Sequence, residues 1–421
     1  MSLTIKPNLF RIKEKDIKTL NNLDRKKYYQ KMKILAYLFR HGPQTNSALF
    51  NATGLSAPTC LALIQELLTD GHVERTGKGM SIGGRKPDLF GLKDDSCYIL
   101  SVDMERFGTR IAIHDNNSRS RSEIKSLEIP ISADLSSINA IHSSAMELIK
   151  ESGLPLEKMV GVGISMPGLI DTTTGDNYTY LHPSAQQHLE EELTLLFDMP
   201  VFIQNDVKCA TTAECRLGLA KNRKDALVVL MDWGIGLGII MDGELRTGKK
   251  GFTGEIGHIP FVDNGALCYC GKRGCLETVA SGIALSTMAK EGIKSGQYSL
   301  LNELTDQEID KIEPHVVIEA ANRGDQYAIS LLSEVGFNLG KGISILIQLF
   351  NPEVIILSGK IAESKQYITI PIIQAVNTYS MSEIRQETEL VLSELGSNAS
   401  LLGTVSLVMD KVFDQQIRLA E

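Results

Sequence analysis

The 421-residue sequence lacks any apolar run of the roughly 18 to 20 residues that a membrane helix needs. It also lacks a charged stub followed by an apolar run at Met1, so we expect neither a secretion signal nor a membrane anchor. A chain of this length buries an ample core without disulfides, and two or three domains are expected. Cysteines held as free thiols or metal ligands fit a reducing cytosol, which predicts a cytoplasmic protein.

Charge is unevenly distributed along the chain. Residues 1–95 carry 16 Lys and Arg against 9 Asp and Glu, whereas the remaining 326 residues carry 27 against 42. A basic N-terminal segment in front of an acidic body indicates a polyanionic partner for that segment alone. A solvated basic tail without a partner is the alternative that charge by itself leaves open.

A helix-turn-helix pattern follows this basic start. Apolar residues recur at helical spacing over 31–41, and a second short helix is predicted over 48–52, with a cap offered by residues 45–47. Gly54 then breaks the chain, and Ser56 caps a third helix over 57–69. This order of helix, short turn and helix predicts a DNA-binding unit whose third helix enters the major groove.

The third helix has short polar side chains and no arginine, so we expect Ser56, Ala57 and Thr59 to face the bases. Affinity would then rest on the segment that follows and on cations of the first helix, namely Lys31, Lys33 and Arg40. A three-helix unit that only mediates protein contact or dimerisation is the alternative.

The segment after the third helix is typical of a wing. Residues 71–75 and 89–92 are short strand candidates, and the loop 78–87 between them is rich in glycine and basic residues. Arg85 and Lys86 at its tip are suited to contact phosphate or the minor groove.

A second cluster lies near the middle of the chain. Three of the seven cysteines crowd into eight residues, with a histidine ten positions upstream. The four candidate ligands are His258, Cys268, Cys270 and Cys275. Three thiolates and one imidazole form a closed tetrahedral shell for a structural Zn²⁺, and Gly271 and Gly274 allow the chain to turn around it. Three buried free cysteines are the alternative.

The segments Gly254–His258 and Cys268–Glu277 resemble the signature of the ROK family, which contains sugar-responsive repressors and sugar kinases. The resemblance runs from about residue 28 to the C-terminus. It implies a winged helix-turn-helix, mostly α, followed by an α/β two-lobed actin-like, sugar-kinase (ribonuclease H-like) fold with a cleft. The implied domains are 1–94, then a small lobe 95–206 joined by the C-terminal helix at about 395–421, and a large lobe 207–394 with the zinc knuckle.

The resemblance also implies which residues bind the sugar. They are Asn205, Asp206, Glu255, His258, Glu277 and Gly168. Carboxylates accept hydrogen bonds from sugar hydroxyls, and in the family's kinases the residue matching Asp206 is the catalytic base. His258 would bind zinc through one ring nitrogen and offer the other to the sugar.

Three turns that bind the nucleotide in the family's kinases are altered here: the first two hold its phosphates, and the third lies near the adenine. The first, at 103–110, has lost its glycine pair; the second, at 232–238, has Ile235 in place of a threonine; the third, at 357–360, keeps one glycine of a pair. These changes favour a repressor over an enzyme, with operator DNA and a sugar or sugar phosphate as partners and a homodimer or homotetramer as the assembly. A sugar kinase with a fused head, or a scaffold that binds only protein, remains an alternative.

Overall fold

The computed structural model describes residues 9–12, 14–80, 86–131, 135–181 and 188–421. The chain divides into two compact units. Unit 1 comprises residues 1–168, 174–204 and 404–421, and unit 2 comprises residues 169–173 and 205–403. The domain boundaries at 94, 206 and 394 stay predictions.

Unit 1 contains the N-terminal helices and two sheets. Its elements are α1 (Glu14–Thr19), α2 (Asn22–His41), β1 (Gln44–Thr45), α3 (Asn46–Thr53), α4 (Ala57–Thr69), β2 (Val73–Lys78), β3 (Asp88–Leu92), β4 (Tyr98–Met104), β5 (Thr109–Asp115), β6 (Lys125–Leu127), α5 (Ser136–Ser152), β7 (Met159–Met166), α6 (Leu189–Phe197) and β8 (Val201–Asn205, whose last residue belongs to unit 2). The small sheet has the order β1-β3-β2, and the large sheet has the order β6-β5-β4-β7-β8.

One hydrophobic core joins the N-terminal helices to the large sheet of unit 1. It contains side chains from α2, α4, β7, β8 and the C-terminal helix, all at most 4% exposed: Phe10, Met32, Leu35, Ile64, Val160, Phe202, Met409 and Phe413. Because these side chains are removed from water together, the N-terminal helices are held against the sheet of unit 1 by the hydrophobic effect.

Unit 2 contains the remaining elements. They are α7 (Asp206–Arg216), β9 (Ala226–Met231), β10 (Ile235–Met241), β11 (Glu244–Leu245), α8 (Glu277–Ala280), α9 (Gly282–Lys294), α10 (Leu301–Leu304), α11 (Pro314–Asn322), α12 (Gln326–Phe350), β12 (Val354–Ser358), α13 (Gln366–Tyr379), α14 (Ser382–Glu387), β13 (Glu389–Leu392) and α15 (Ala399–Ala420). The last of these, α15, begins in unit 2 and continues in unit 1 from Thr404.

The two large sheets have the same strand order. The large sheet of unit 2 has the order β11-β10-β9-β12-β13. If the strands of each sheet are numbered along the chain, both sheets have the spatial order third, second, first, fourth, fifth. In both sheets the first three strands pair antiparallel and the fourth lies parallel to the first. The predicted class, a winged helix-turn-helix followed by an α/β body with mixed sheets, is confirmed.

Among the described residues, no single helix has the length and apolar character to cross a membrane. The bent pair of α3 and α4 passes the same test by length and composition only.

Candidate functional site

The helix-turn-helix is formed by α3 and α4, which are bent by 112° at the break between them. Each helix is capped by its own sequence: Thr45 accepts the backbone N–H of Ala48, and Ser56 accepts that of Thr59. Gly54 ends α3 in a left-handed conformation with φ +70°, which favours glycine. This angle and these caps are those of a DNA-binding helix pair.

The outer face of α4 carries the residues predicted to meet bases. Ser56, Thr59 and Gln65 are exposed, and Ala57 is half-buried. The hydroxyls of Ser56 and Thr59 lie 2.7 Å apart and share a hydrogen bond, so both also serve the cap of α4. Their contact with bases stays a prediction.

The wing is an antiparallel pair of strands, β2 and β3, with a bulge between Arg75 and Gly77. The Lys78 ammonium forms an ion pair with Asp88 where the two strands end and the loop of the wing begins. Lys86, in this loop, is exposed, and Arg85 lies outside the described residues.

Three cations of α2 have partners within the protein, and their predicted role in DNA affinity stays a prediction. Lys31 lies 3.0 Å from Glu66 and 3.2 Å from Asp70. Lys33 donates to the carbonyl oxygen of Thr53. Arg40 pairs with two carboxylates of α15. The sequence could not show these partners because most of them lie 20 or more residues away along the chain.

The four predicted metal ligands come together in unit 2. One ligand atom from each of His258, Cys268, Cys270 and Cys275 lies within 4.8 Å of the others. The Sγ atoms of Cys270 and Cys275 are 3.7 Å apart, and Nδ1 of His258 is 3.6 Å from Sγ of Cys268. Tetrahedral zinc with its usual bond lengths requires separations of about 3.8 and 3.5 Å. The cluster could therefore hold a metal ion.

Glycines shape the loop around this cluster, as predicted. Gly271 has φ +84° and Gly274 has φ +72°. A Cβ at Gly274 would lie 1.8 Å from the carbonyl oxygen of Val262, so no other residue fits there without displacing the backbone. Burial raises the pKa of the Cys268 thiol to about 12, so its thiolate form needs a nearby cation.

The second ring nitrogen of His258 is already engaged. Its Nε2 lies 3.0 Å from the hydroxyl of Tyr269, and the rings meet edge to face. A sugar that bound this nitrogen would displace the hydroxyl, and Tyr269, which is 62% exposed, has room to move. The double role of His258 stays a prediction.

The predicted carboxylates occupy three junctions of unit 2. Asp206 is the first residue of α7, Glu255 precedes a short turn at Ile256–His258, and Glu277 is the first residue of α8. Burial raises the pKa of Glu277 to about 7; a hydrogen bond from the N–H of Ile235 opposes this, and the charge of Glu255 adds to it. Oε1 of Glu277 is 4.0 Å from Sγ of Cys268, which connects the carboxylates to the metal cluster.

The other two predicted sugar-binding residues, Asn205 and Gly168, lie in different units and have different local structures. Asn205 caps α7 and accepts the N–H of Lys208, so its side chain supports the helix that carries Asp206. Gly168 belongs to unit 1, has φ +106°, and packs against Asn177 and Thr179.

Sequence reasoning missed Lys208. This residue is 1% exposed and its ammonium donates to the carbonyl oxygen of Thr253. Burial lowers the pKa of Lys208, and the negative charges of Glu255 and Asp206 oppose this shift. A lysine two residues after Asp206, in the first turn of a helix, was the available signal, because a cation is unfavourable at a helix N-terminus.

Backbone N–H groups of the second and third nucleotide-binding turns donate to carboxylates of the chain itself. The N–H of Ile235 donates to Glu277, and the N–H of Lys360 donates to Asp232 over 2.8 Å. In the first turn, Asp103 is buried and accepts a hydrogen bond from Arg110 over 2.6 Å. A phosphate oxygen would have to replace the Glu277 carboxylate at Ile235.

Comparisons with known proteins agree with these features. A winged helix-turn-helix DNA-binding model matches residues 29–74 and the ROK family model matches residues 99–411. The chain is 26% identical over 390 residues to the DNA-binding transcriptional dual regulator NagC of Escherichia coli K12, covering 92% of this chain and 94% of that protein. It is 29% identical over 399 residues to the xylose repressor of Bacillus subtilis 168, covering 92% and 97%.

Two solved structures share the fold. A ROK family transcriptional regulator, described as a homologue of E. coli Mlc, superposes with a TM-score of 0.74 at 24% identity and covers 94% of this chain and 99% of its own. A ROK family glucokinase from Streptomyces griseus, in complex with glucose and AMPPNP, has a TM-score of 0.66 at 28% identity and covers 74% and 98%. These likenesses confirm the actin-like, sugar-kinase fold of the chain that follows the winged helix-turn-helix, which we call the head. Since the ROK model matches more than half of the sequence, this chain belongs to the ROK family.

Proposed function

We propose that this protein is a transcriptional repressor that binds operator DNA through its winged helix-turn-helix and responds to a sugar. The observation that carries the proposal is a complete capped helix-turn-helix with a wing, in the same chain as the carboxylate and His258 cluster of unit 2. The relatives named above as repressors or regulators match the chain from head to body, which supports the same role here. We expect a cytoplasmic homodimer or homotetramer.

DNA binding would use two surfaces of the head. The exposed face of α4 would meet base edges through Ser56 and Thr59, with Ala57 close to the groove. The wing would place Arg85 and Lys86 against phosphates or in the minor groove. In a symmetric oligomer two heads bind two half-sites, so a change in their spacing changes operator affinity.

Sugar binding would use acceptors on unit 2. Asp206, Glu255 and Glu277 would accept hydrogen bonds from sugar hydroxyls, Asn205 would hold α7 in place, and His258 would add its second nitrogen. Gly168 would bring backbone donors to the ligand, as the resemblance to the family implies. A Zn²⁺ held by His258, Cys268, Cys270 and Cys275 would supply no chemistry, because its shell is closed, but it would fix the orientation of His258.

Gel shift tests the function. The purified protein would be mixed with promoter fragments next to its own gene and with other candidate operators, with and without glucose, N-acetylglucosamine or xylose. We expect one fragment to shift and one sugar to change that shift. No shift on any of these fragments would overturn the proposal.

A sugar kinase with a fused head is the second candidate, and the retained Asp206 favours it. A coupled assay of ADP release over hexoses and N-acetylhexosamines separates the two functions. Turnover abolished by Asp206→Asn would establish the kinase. We expect no turnover, because an N–H group of the phosphate-binding turn at 232–238 already donates to Glu277, and an N–H group of the turn expected near the adenine donates to Asp232.

A further inference from the structure

Burial and the position at a helix N-terminus both disfavour the positive charge of Lys208. It is 1% exposed, and moving an ammonium from water into a protein interior is costly unless it is paired. It also lies in the first turn of α7, where the aligned peptide dipoles disfavour a cation. A side chain retained in such a place needs strong compensating partners.

The partners of Lys208 belong to the candidate sugar site. Its ammonium donates to the carbonyl oxygen of Thr253, two residues before Glu255. The charges of Glu255 and Asp206 both act on it favourably. Lys208 thus connects the start of α7 to the loop that leads to Glu255, and its positive charge is favoured by the negative charges of Glu255 and Asp206.

We propose that Lys208 is a positioning residue, the internal counter-ion of Asp206 and Glu255, and that the site consequently takes an uncharged sugar in preference to a sugar phosphate. This inference rests on the proposed function. It goes further by naming the charge of the ligand and the residue that sets it.

The hydrogen-bonding capacity and the charge of Lys208, Asp206 and Glu255 favour an uncharged ligand. A buried ammonium that already donates to the Thr253 carbonyl has no exposed surface to offer a phosphate. Ionised carboxylates accept hydrogen bonds and donate none, so they recognise hydroxyl groups. A phosphate dianion near Asp206 and Glu255 would meet like charges in a poorly solvated setting, where repulsion is strongest.

Isothermal titration calorimetry on the full-length protein tests this inference. The probes are glucose, N-acetylglucosamine and xylose, each compared with its terminal phosphate ester at one salt concentration. We expect the best neutral sugar to bind at least about tenfold more tightly than its ester. Tighter binding of the ester would overturn the inference while leaving the proposed function intact. Failure of every sugar and ester to bind would remove the proposed function, and the inference with it.

Two variants of Lys208 separate charge from hydrogen bonding. Lys208→Met removes both the charge and the donor, and Lys208→Gln keeps an amide donor without the charge. We expect each to weaken binding of the neutral sugar by about tenfold or more. The matched control is Lys341→Met in the same unit, whose ammonium packs over Phe337 and should leave binding unchanged. Unchanged sugar affinity in both Lys208 variants would overturn the inference.

A double-mutant cycle with Glu255→Gln distinguishes a counter-ion from a purely structural lysine. If Lys208 acts by compensating the Glu255 charge, the double variant loses less sugar affinity than the two single losses combined. Additive losses would indicate a structural role and contradict the inference. If the Lys208 variants do not fold, the comparison of neutral sugar with phosphate ester on the unmodified protein still decides it.

Discussion

Arg40 of α2 donates from Nε to Oδ1 of Asp410 on α15 over 2.9 Å. Its Nη2 donates to Oδ1 of Asp414 over 2.8 Å. The two carboxylates lie one helical turn apart, and the planar guanidinium contacts both, which a lysine could not do with the same geometry. The DNA-binding head is therefore fastened to the C-terminal helix by this pair of contacts as well as by the shared core.

Arg40→Gln tests whether Arg40 fastens the head or binds phosphate. The side chains are 30 to 46% exposed, so we expect a loss of about 1 kcal/mol or less in the free energy of unfolding. The dependence of operator binding on salt should stay unchanged, because no phosphate contact is lost. Denaturant unfolding and gel shift over a range of salt measure the two quantities. A shallower salt dependence would show that Arg40 contacts DNA.

The wing variants Arg85→Ala and Lys86→Ala should behave in the opposite way. Each is expected to weaken operator binding and to reduce the slope of log affinity against log salt by about 1, because one phosphate contact is lost. Sugar affinity should not change. Lys78→Ala is the control, since Lys78 is already paired with Asp88. Equal slopes in all three variants would contradict a phosphate-binding wing.

Cys268→Ser should remove the metal. A serine hydroxyl is a poor substitute for a thiolate, so we expect zinc content to fall well below one ion per chain and sugar response to weaken as the His258 loop loosens. Metal analysis of purified protein measures this. Cys215→Ser, at a half-buried cysteine outside the cluster, should keep full metal content. Unchanged metal in Cys268→Ser would refute the proposed ligand set.

Two glycines of the metal loop allow a matched comparison. Gly271→Ala meets no atom within 4 Å, so its cost is only that of a left-handed conformation, roughly 1 kcal/mol. Gly274→Ala would additionally place its Cβ 1.8 Å from the carbonyl oxygen of Val262. We expect Gly274→Ala to lower thermal stability and zinc retention far more than Gly271→Ala. Similar effects of the two variants would argue against the described loop.

Because His114 is buried, we expect the free energy of unfolding to depend on pH. Burial lowers its pKa from 6.5 to about 4, and its Nδ1 contacts the Ser101 hydroxyl over 2.9 Å. Between pH 6.5 and 4 the unfolded chain therefore takes up a proton that the folded chain does not, and stability falls as pH falls. His114 should contribute about 3 kcal/mol to this loss.

Denaturant unfolding of His114→Gln between pH 7 and pH 4 measures that contribution. The variant should show a smaller loss of stability over this interval than the unmodified protein. The same substitution at the exposed His315 is the matched control and should leave the loss as it is. An undiminished loss in His114→Gln would contradict the prediction.

Local patterns in the sequence predicted local structure well. Ser56 and Gly54 marked the helix boundaries of the head, and the close spacing of Cys268, Cys270 and Cys275 predicted their cluster, because these features act over a few residues. Contacts between distant segments were beyond such patterns. The contact of Arg40 with Asp410 joins residues 370 positions apart, so the sequence could not reveal it.

Lys208 was missed for a related reason. The sequence shows a lysine in the first turn of α7 but does not show that the loop with Thr253 and Glu255 folds over it. The role of Gly168 also remains a prediction drawn from family resemblance, as do the sugar contacts of the carboxylates.

The first turn of α15 has almost no clearance from the helix that carries Asp206. A Cβ at Gly403 would lie 2.0 Å from the backbone oxygen of Cys209, and Ser400 donates to the carbonyl oxygen of Asp206. Seven residues beyond Gly403, the same continuous helix holds Arg40 of the head. Gly403 has no side chain, so the backbone of α15 can lie directly against the backbone of α7 at Cys209. A larger residue at this position would have to displace the helix that begins with Asp206.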